Sequence, residues 1–580
     1  MRIIFYSLIL VLFFVSGVSA QNNIISTDSV AEQVMLGNYN PADFTSSNPV
    51  THPDSITQAI IASVSPDSLK SYLITLGTFY NRNTGSDTVS NTTGIGAARR
   101  WAFSKFAQFS AVNDNRLIPS YLQFDQLICT SLQHRDIFAV LPGTDTSDKS
   151  VIFIEGHLDS RCNDECDSLC LAQGMEDNGS GSALVLELAR VMSRFTFKHT
   201  VVFLLTIGEE QGLYGAEAFA DYCQQKNIKV KAVLNNDIVG GILCGTTSSP
   251  PSCPAFGDVD SLQVRIFSNA NFNSAHKQFA RYSKLEYAEQ ALPYVSVPTD
   301  ITIMTAEDRT GRGGDHIPFR QHGFTAIRFT SANEAGNANV ADTSYHDRQH
   351  TSDDILGVDT DGDLIIDSFF VDFNYLARNA VINGNAASMA ALTYAAPDFT
   401  NTPVGLGKLI VTVTQQTQYS QYRLGVRVPT NNDWDSVYTI NGLVSDTLIM
   451  PAGSIFYISM AGVDNNGIET LFSREYVVTP NSVEEIFKQK SNIVLLPARP
   501  NPSDEEVTFT VMVNKAVPYK TAYVRISSEE GKEITQLKVS LEPGVNEVNY
   551  HHGYSATGTR LASLVVDGKV ISTVKLIFSK

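Results

Sequence analysis

Five short clusters of acidic and imidazole side chains punctuate the middle of the chain, and together they hold the donor set of a divalent-metal centre. They are Gly156-His157-Leu158-Asp159-Ser160, Gly174-Met175-Glu176-Asp177-Asn178-Gly179-Ser180-Gly181, Gly208-Glu209-Glu210-Gln211-Gly212, Asn235-Asn236-Asp237, and the run from Tyr345-His346 through His350 to Asp354. Imidazole nitrogen and carboxylate oxygen suit zinc. Five candidate ligands exceed what one catalytic zinc takes, and they suit two ions about 3.5–4 Å apart with one carboxylate between them. Glu209 and Glu210 are adjacent, so their carboxylates can diverge, one toward metal and one toward proton transfer. Asp159 lies two residues beyond His157, close enough to hold the imidazole's other nitrogen. Each cluster alone is ordinary: a His-x-Asp pair on a surface, a Glu-Glu helix start, an N-cap. Their joint order singles them out.

The elements around them explain that order. Apolar runs Ile137–Leu141, Val151–Glu155, Thr200–Ile207 and Val230–Asn235 predict buried strands, with helical patterns at Gly181–Phe195 and Leu213–Lys226 between them. Helical spacing also marks Leu69, Tyr72, Leu73 and Leu76, Ala97–Phe109, and a closing helix at Phe369–Tyr394. Strands alternating with helices imply an α/β domain, residues 62–397, whose mostly parallel sheet is covered on both faces. A polar residue just past such a strand faces the carboxyl edge of the sheet, where these folds bind ligands.

Beyond Asp398 the composition changes. Short strands at Leu409–Val413, Ser436–Ile440, Thr447–Met450 and Phe456–Met460 predict a small β-sandwich over 398–482, similar to a fibronectin type III module. A charged linker (483–492) and a second all-β segment (493–580) follow. Residues 21–61 are polar with scattered Pro and Asn and read as an N-terminal arm or pro-segment. Asp359-Thr360-Asp361-Gly362-Asp363 looks like part of a calcium loop but lacks the Glu at position 12.

The segments GHLDS (156–160), GMEDNGSG (174–181), IGEEQGLYG (207–215), NNDIVG (235–240), GGDHIPFRQHG (313–323) and HTSDD (350–354) occur in the order found in zinc-dependent aminopeptidases of the bacterial leucine-aminopeptidase type. The resemblance covers residues 67–395. It implies a mixed, mostly parallel central sheet flanked by helices, two Zn²⁺ per chain, and peptide substrates with free N-termini. On that resemblance His157 and Asp237 hold one zinc, Glu210 and His350 the other, and Asp177 bridges them. Glu209 is the general base and Asp159 orients His157. Asp315 and His316 fall near the substrate pocket, with Arg312 and Tyr345 as further substrate-side candidates. His350 is preferred to His346 because His-Thr-x-x-Asp matches the family. Two departures stand out: Glu176 replaces a frequent Asp, and Gly311, between Arg309 and Arg312, occupies the place of an oxyanion-assisting Tyr. The stretch Gly241–Pro298 looks longer than a minimal connection. The alternatives are a single-zinc glutaminyl cyclase, which shares this fold, and a catalytically inactive adhesin.

Charge and the chain ends bear on compartment. The chain has 580 residues and a net charge of −18, which argues against nucleic acid, whose binders need a basic stripe, and against charge-driven docking on anionic membranes. Arg2, the apolar run Ile3–Val15 and Val18-Ser19-Ala20 form a secretory signal pattern over residues 1–20. The apolar run is shorter than the roughly 20 residues of a membrane span, and no later run is long enough to serve as one. Seven cysteines lie between Cys129 and Cys253. Export permits disulfides; Cys244 and Cys253 flank a Pro-rich loop and could pair, whereas the spacing of Cys162, Cys166 and Cys170 leaves pairing open, with a zinc site as the rival reading. An odd count leaves one thiol over. LLPARPNPSDEEVTF (495–509), SSEEGKEI (527–534) and LVVDGKVISTVKLIFSK (564–580) resemble the C-terminal sorting domain of type IX secretion substrates, although Thr557-Gly558-Thr559-Arg560-Leu561 stands where that family has Gly-x-Tyr. That resemblance implies outer-membrane secretion machinery as a partner, and a secreted or surface-attached product.

Overall fold

The computed structural model describes residues 21–580 except 246–252, 254, 270–272, 310–311, 333–347, 406–407, 441–444, 452–453, 480–491, 504, 530, 554–557 and 579–580. Nine strands form one sheet: β1 (Asn22–Ser26), β2 (Ile118–Ile128), β3 (Ser131–Leu141), β4 (Ser150–His157), β5 (Thr200–Thr206), β6 (Lys229–Asn236), β7 (Gln263–Phe267), β8 (Asp300–Ile303) and β9 (Ala326–Ser331). Their spatial order is β1-β2-β3-β5-β4-β6-β9-β7-β8. The middle four, β5-β4-β6-β9, are parallel, while β3 and β7 join antiparallel. The sheet is therefore mixed with a parallel centre.

Every residue of β5 is buried, as expected for a strand covered on both faces. The cover comes from α1 (Ser29–Met35), α2 (Pro53–Ser63), α3 (Pro66–Gly77), α4 (Gly94–Ala111), α5 (Gly181–Met192), α6 (Tyr214–Lys226), α7 (Ala275–Glu286), α8 (His316–Gln321) and α9 (Phe373–Leu392). Phe153 of β4 meets Phe219 of α6 and Phe319 of α8 on one face. Its chain neighbours Ile152 and Ile154 point to the other face, where α5 and α9 lie against β4.

Residues 21–61, expected as an arm or pro-segment, are built into this domain. β1 pairs with β2, and Ala31, Val34, Met35, Ile56 and Ile60 join the central core. Pro53 and Pro66 sit in the first turns of α2 and α3, where a missing N–H costs nothing; they start helices rather than mark loops. The long stretch 241–298 contains β7 and α7, neither of which the apolar pattern announced.

Residues 399–478 form a three-stranded and a four-stranded antiparallel sheet, and residues 493–578 form another three-plus-four pair. Each has its own apolar core. Ile468 of the first joins the α/β core instead, because α7 packs directly against it. Among the described residues no helix is long and apolar enough to cross a membrane.

Candidate metal centre

Three adjacent parallel strands deliver the donors. β4 ends in His157, β5 runs out into Gly208-Glu209-Glu210, and β6 runs out into Asp237. Asp177 lies in the turn Met175–Ser180 that leads into α5. That turn crosses the strand ends closely, and a Cβ at Gly181 would collide with the Asn236 carbonyl. His350 returns on the segment that follows β9, with φ of 61°.

The five side chains converge. Asp177 Oδ1 lies 3.2 Å from His157 Nε2, and Asp177 Oδ2 lies 3.0 Å from His350 Nε2. Asp237 Oδ1 is 3.5 Å from His157 Nε2, and Glu210 Oε2 is 3.3 Å from His350 Nε2. Atoms coordinating one tetrahedral zinc stand about 3.3 Å apart, so these separations fit metal ligation. His157 Nε2, Glu210 Oε1 and Asp237 Oδ1 are buried with no hydrogen-bond partner. Buried polar atoms are normally satisfied, so a cation is the natural occupant of the space they face. Glu209 Oε2 is 3.9 Å from His157 Nε2, within reach of the same position.

Burial raises the Glu209 carboxyl to about 8, and the surrounding Asp237, Asp177 and Asp159 oppose the pull of His157. Burial, with Asp177 and Glu209, also holds Glu210 well above the usual carboxylate range. Asp237 goes the other way: burial raises it, but Arg328 and His157 outweigh burial. Burial lowers the His157 imidazole, yet Glu209, Asp159, Asp177 and Asp237 together lift it well above its ordinary value.

A ring of residues positions these groups. The carboxylate of Asp159 lies 3.5 Å from His157 Nδ1, and it accepts from Thr84 Oγ1 and from the backbone N–H groups of Glu209 and Glu210. It thus orients the imidazole and clamps the Glu-Glu turn. Asp354 accepts from the N–H groups of Glu176 and Asp177 at 2.9 and 3.0 Å. Arg328, fully buried, bridges Asp237 (2.9 Å) and Asp308 (2.8 Å). Arg161 reaches Glu210 at 3.2 Å, and its Nη2 lies 2.8 Å from His350 Nδ1. Sequence reasoning assigned no role to Thr84, Asp354, Arg328 or Arg161; the only available signal was that Asp354 closes the HTSDD segment.

The remaining expected residues divide. Arg312 lines the cavity of about 440 Å³ above the donors. Asp315 and His316 do not line it: Asp315 is buried beneath the strand ends, accepting from Thr206 Oγ1, and His316 Nε2 donates to the Glu307 carbonyl. Both lie under the sheet edge, beside the site and not in its wall. Tyr345, with His346, lies outside the described residues, as does Gly311. Asp359, Asp361 and Asp367 come together in an exposed loop. The cysteines form Cys129–Cys166, Cys162–Cys170 and Cys244–Cys253, and Cys223 is buried and free. A zinc site built from Cys162, Cys166 and Cys170 is therefore excluded, and two of the disulfides staple the loop that carries Arg161.

The family model of peptidase family M28 matches residues 136–363. The "probable zinc metalloprotease" of Leptosphaeria maculans is 30% identical over 57% of this chain and 75% of its own. The chain belongs to peptidase family M28. A second "probable zinc metalloprotease", from Pyricularia oryzae, is 30% identical over 62% of this chain and 70% of its own. The LapA aminopeptidase of Legionella pneumophila is 18% identical with a TM-score of 0.42, over 60% of this chain and 76% of that one. As a zinc metallopeptidase of family M28 the chain has peptides as its substrate class, and its nitrogen and oxygen donors fit zinc.

Proposed function

We propose that this M28 peptidase is an aminopeptidase with two zinc ions, removing single residues from free N-termini. The observation that supports it best is Asp177, whose two carboxylate oxygens face two different imidazoles at 3.2 and 3.0 Å. His157 and Asp237 would hold one ion and Glu210 and His350 the other, with Asp177 shared. Zinc in these positions supplies Lewis acidity, polarising a peptide carbonyl and acidifying water toward neutral pH. Glu209 then accepts a proton and passes it to the leaving amine. Asp159 keeps the Glu209 backbone and the His157 ring in register. Arg328 anchors Asp237 from behind, and Asp354 anchors the Asp177 turn.

The test is turnover of free and N-acetylated leucine peptides, with zinc counted in the same sample. The expected result is cleavage of the free peptide alone, at about two zinc per chain. Cleavage of the blocked peptide rejects exopeptidase action, and one zinc per chain rejects the paired site.

The same proposal extends to compartment. The signal pattern at residues 1–20, three disulfides and the sorting-domain resemblance of residues 493–580 support export and passage across an outer membrane. Disulfides persist in oxidising compartments. Residues 398–482 are read as a fibronectin type III-like module. Mass spectrometry of the product from native culture tests this: an intact N-terminus at Met1, or recovery only from the cytoplasm, rejects it.

A further inference from the structure

We propose that Arg312 anchors an anionic subsite, so that preferred substrates carry a carboxylate close to the scissile bond. This rests on N-terminal cleavage and adds the chemical class of substrate that the same site selects.

Four arginines surround the donors, and three are already matched. Arg161 pairs with Glu210 at 3.2 Å and Glu165 at 3.1 Å, Arg309 with Asp308 at 3.1 Å, and Arg328 with both Asp237 and Asp308. Arg312 differs. Among the described residues its side chain makes a neutral bond, from Nη2 to Gln349 Oε1 at 2.8 Å. Its Nη1, like Arg161 Nε, is buried with no hydrogen-bond partner, so what sets Arg312 apart is the lack of an acid. No carboxylate among the described residues lies within ion-pair distance of it. A buried guanidinium N–H left unmet is costly, and a carboxylate is the partner whose planar pair of oxygens matches the guanidinium fork.

The cavity wall agrees. Among its described lining residues Leu213 is the one aliphatic side chain; the rest include Arg161, Arg309 and Arg312 beside Glu165, Asp177, Glu209, Glu210 and Asp237. Five carboxylates against three guanidiniums leave the cavity negative. Two dications reverse that sign, so the zinc-loaded site attracts an anion. Among the described residues this wall offers no apolar pocket of the kind that would favour leucine. Gln349, which holds Arg312, directly precedes His350, so the guanidinium is placed by the same loop that brings a metal ligand.

The carboxylate has two possible sources: an acidic side chain on the N-terminal residue, or the C-terminus of a dipeptide. The experiment measures kcat and KM of zinc-replete enzyme on Glu-, Asp- and Leu-p-nitroanilide, and on Leu-Ala against Leu-Ala-amide. The expected result is at least a tenfold advantage in kcat/KM for the carboxylate-bearing member of one comparison. The anilides report the side-chain source and the dipeptides the C-terminal one. Arg312→Met should erase that advantage mainly through KM, with zinc content unchanged, and Arg312→Lys should restore part of it. Neutral substrates equal or better in both comparisons, or an advantage that survives Arg312→Met, overturns the subsite while leaving N-terminal cleavage intact. No turnover of any substrate in the panel overturns N-terminal cleavage, and the subsite falls with it.

Discussion

Two regions of this molecule bury acids beside arginines, and they treat them in opposite ways. Where α7 packs on the first β-sandwich, Glu475 accepts from Arg281 at 3.1 Å and from Arg427 at 2.6 and 2.8 Å, and its second oxygen also takes the N–H of Asn273. At the candidate metal centre, Glu210 Oε1, Asp237 Oδ1 and His157 Nε2 have no hydrogen-bond partner. Burial raises the carboxyl pKa in both places. Around Glu475 the two guanidiniums win and the pKa falls. Around Glu210 the neighbours are Asp177 and Glu209, and the pKa rises well above its ordinary value. A buried charge is thus no mark of a functional site. The mark is buried lone pairs that converge on one another and lack a proton donor between them.

That contrast can be broken by experiment. The largest effect belongs to Glu209→Gln, expected to lower kcat by about 10²–10⁴-fold with zinc content unchanged; near-normal hydrolysis of Leu-p-nitroanilide would remove Glu209 from the chemistry. Next is Glu475→Ala, which strands Arg281 and Arg427 in the interface. Denaturant titration should show a loss of about 3–5 kcal/mol, with activity per folded molecule unaltered. Glu210→Gln should do the reverse in chelator-treated protein: zinc binding is weakened, while the metal-free form, freed of a charge buried beside Asp177 and Glu209, should be at least as stable as wild type. A metal-free variant less stable than wild type would mean that Glu210 is satisfied after all.

The smallest effect concerns pH. Glu469, at the sandwich interface, is raised by burial to about 8, more than Arg423 lowers it. Its folded pKa therefore lies above its unfolded value of about 4.5. The stability this adds is complete below pH ~4.5 and is lost as pH climbs to ~8. Glu469→Gln should flatten that part of the profile, so the melting temperature should fall less between pH 5 and 8 than in wild type.

How much of this was legible in the sequence depends on distance along the chain. β4, β5 and β6 show as apolar runs because a strand buried on both faces must be apolar throughout, and His157 and Asp237 stand out as the polar residues where those runs end. α7 does not show. Its Gln278 and Arg281 are buried against a second domain, and a polar helix face gives no apolar period to count. β1 and β8 span five and four residues, too few for a pattern. Thr84 and Asp354 act on residues 75 and 177 positions away, and no local spacing carries such a pairing. Pro53 at the start of α2 misled for a local reason: the residue that breaks a helix inside also begins one.

The sequence by itself determined the donor set, its order, and the class of chemistry, because residue type decides what can bind zinc and strand periodicity decides which edge presents it. Only the tertiary structure decided which oxygens of Asp177 face which imidazole, that Asp315 and His316 lie under the site rather than in it, and that, of the four arginines around the donors, Arg312 has no acid among the described residues. Those are matters of ångströms between residues far apart in the chain, and they are settled by how the sheet, the α5 turn and the returning His350 loop pack together.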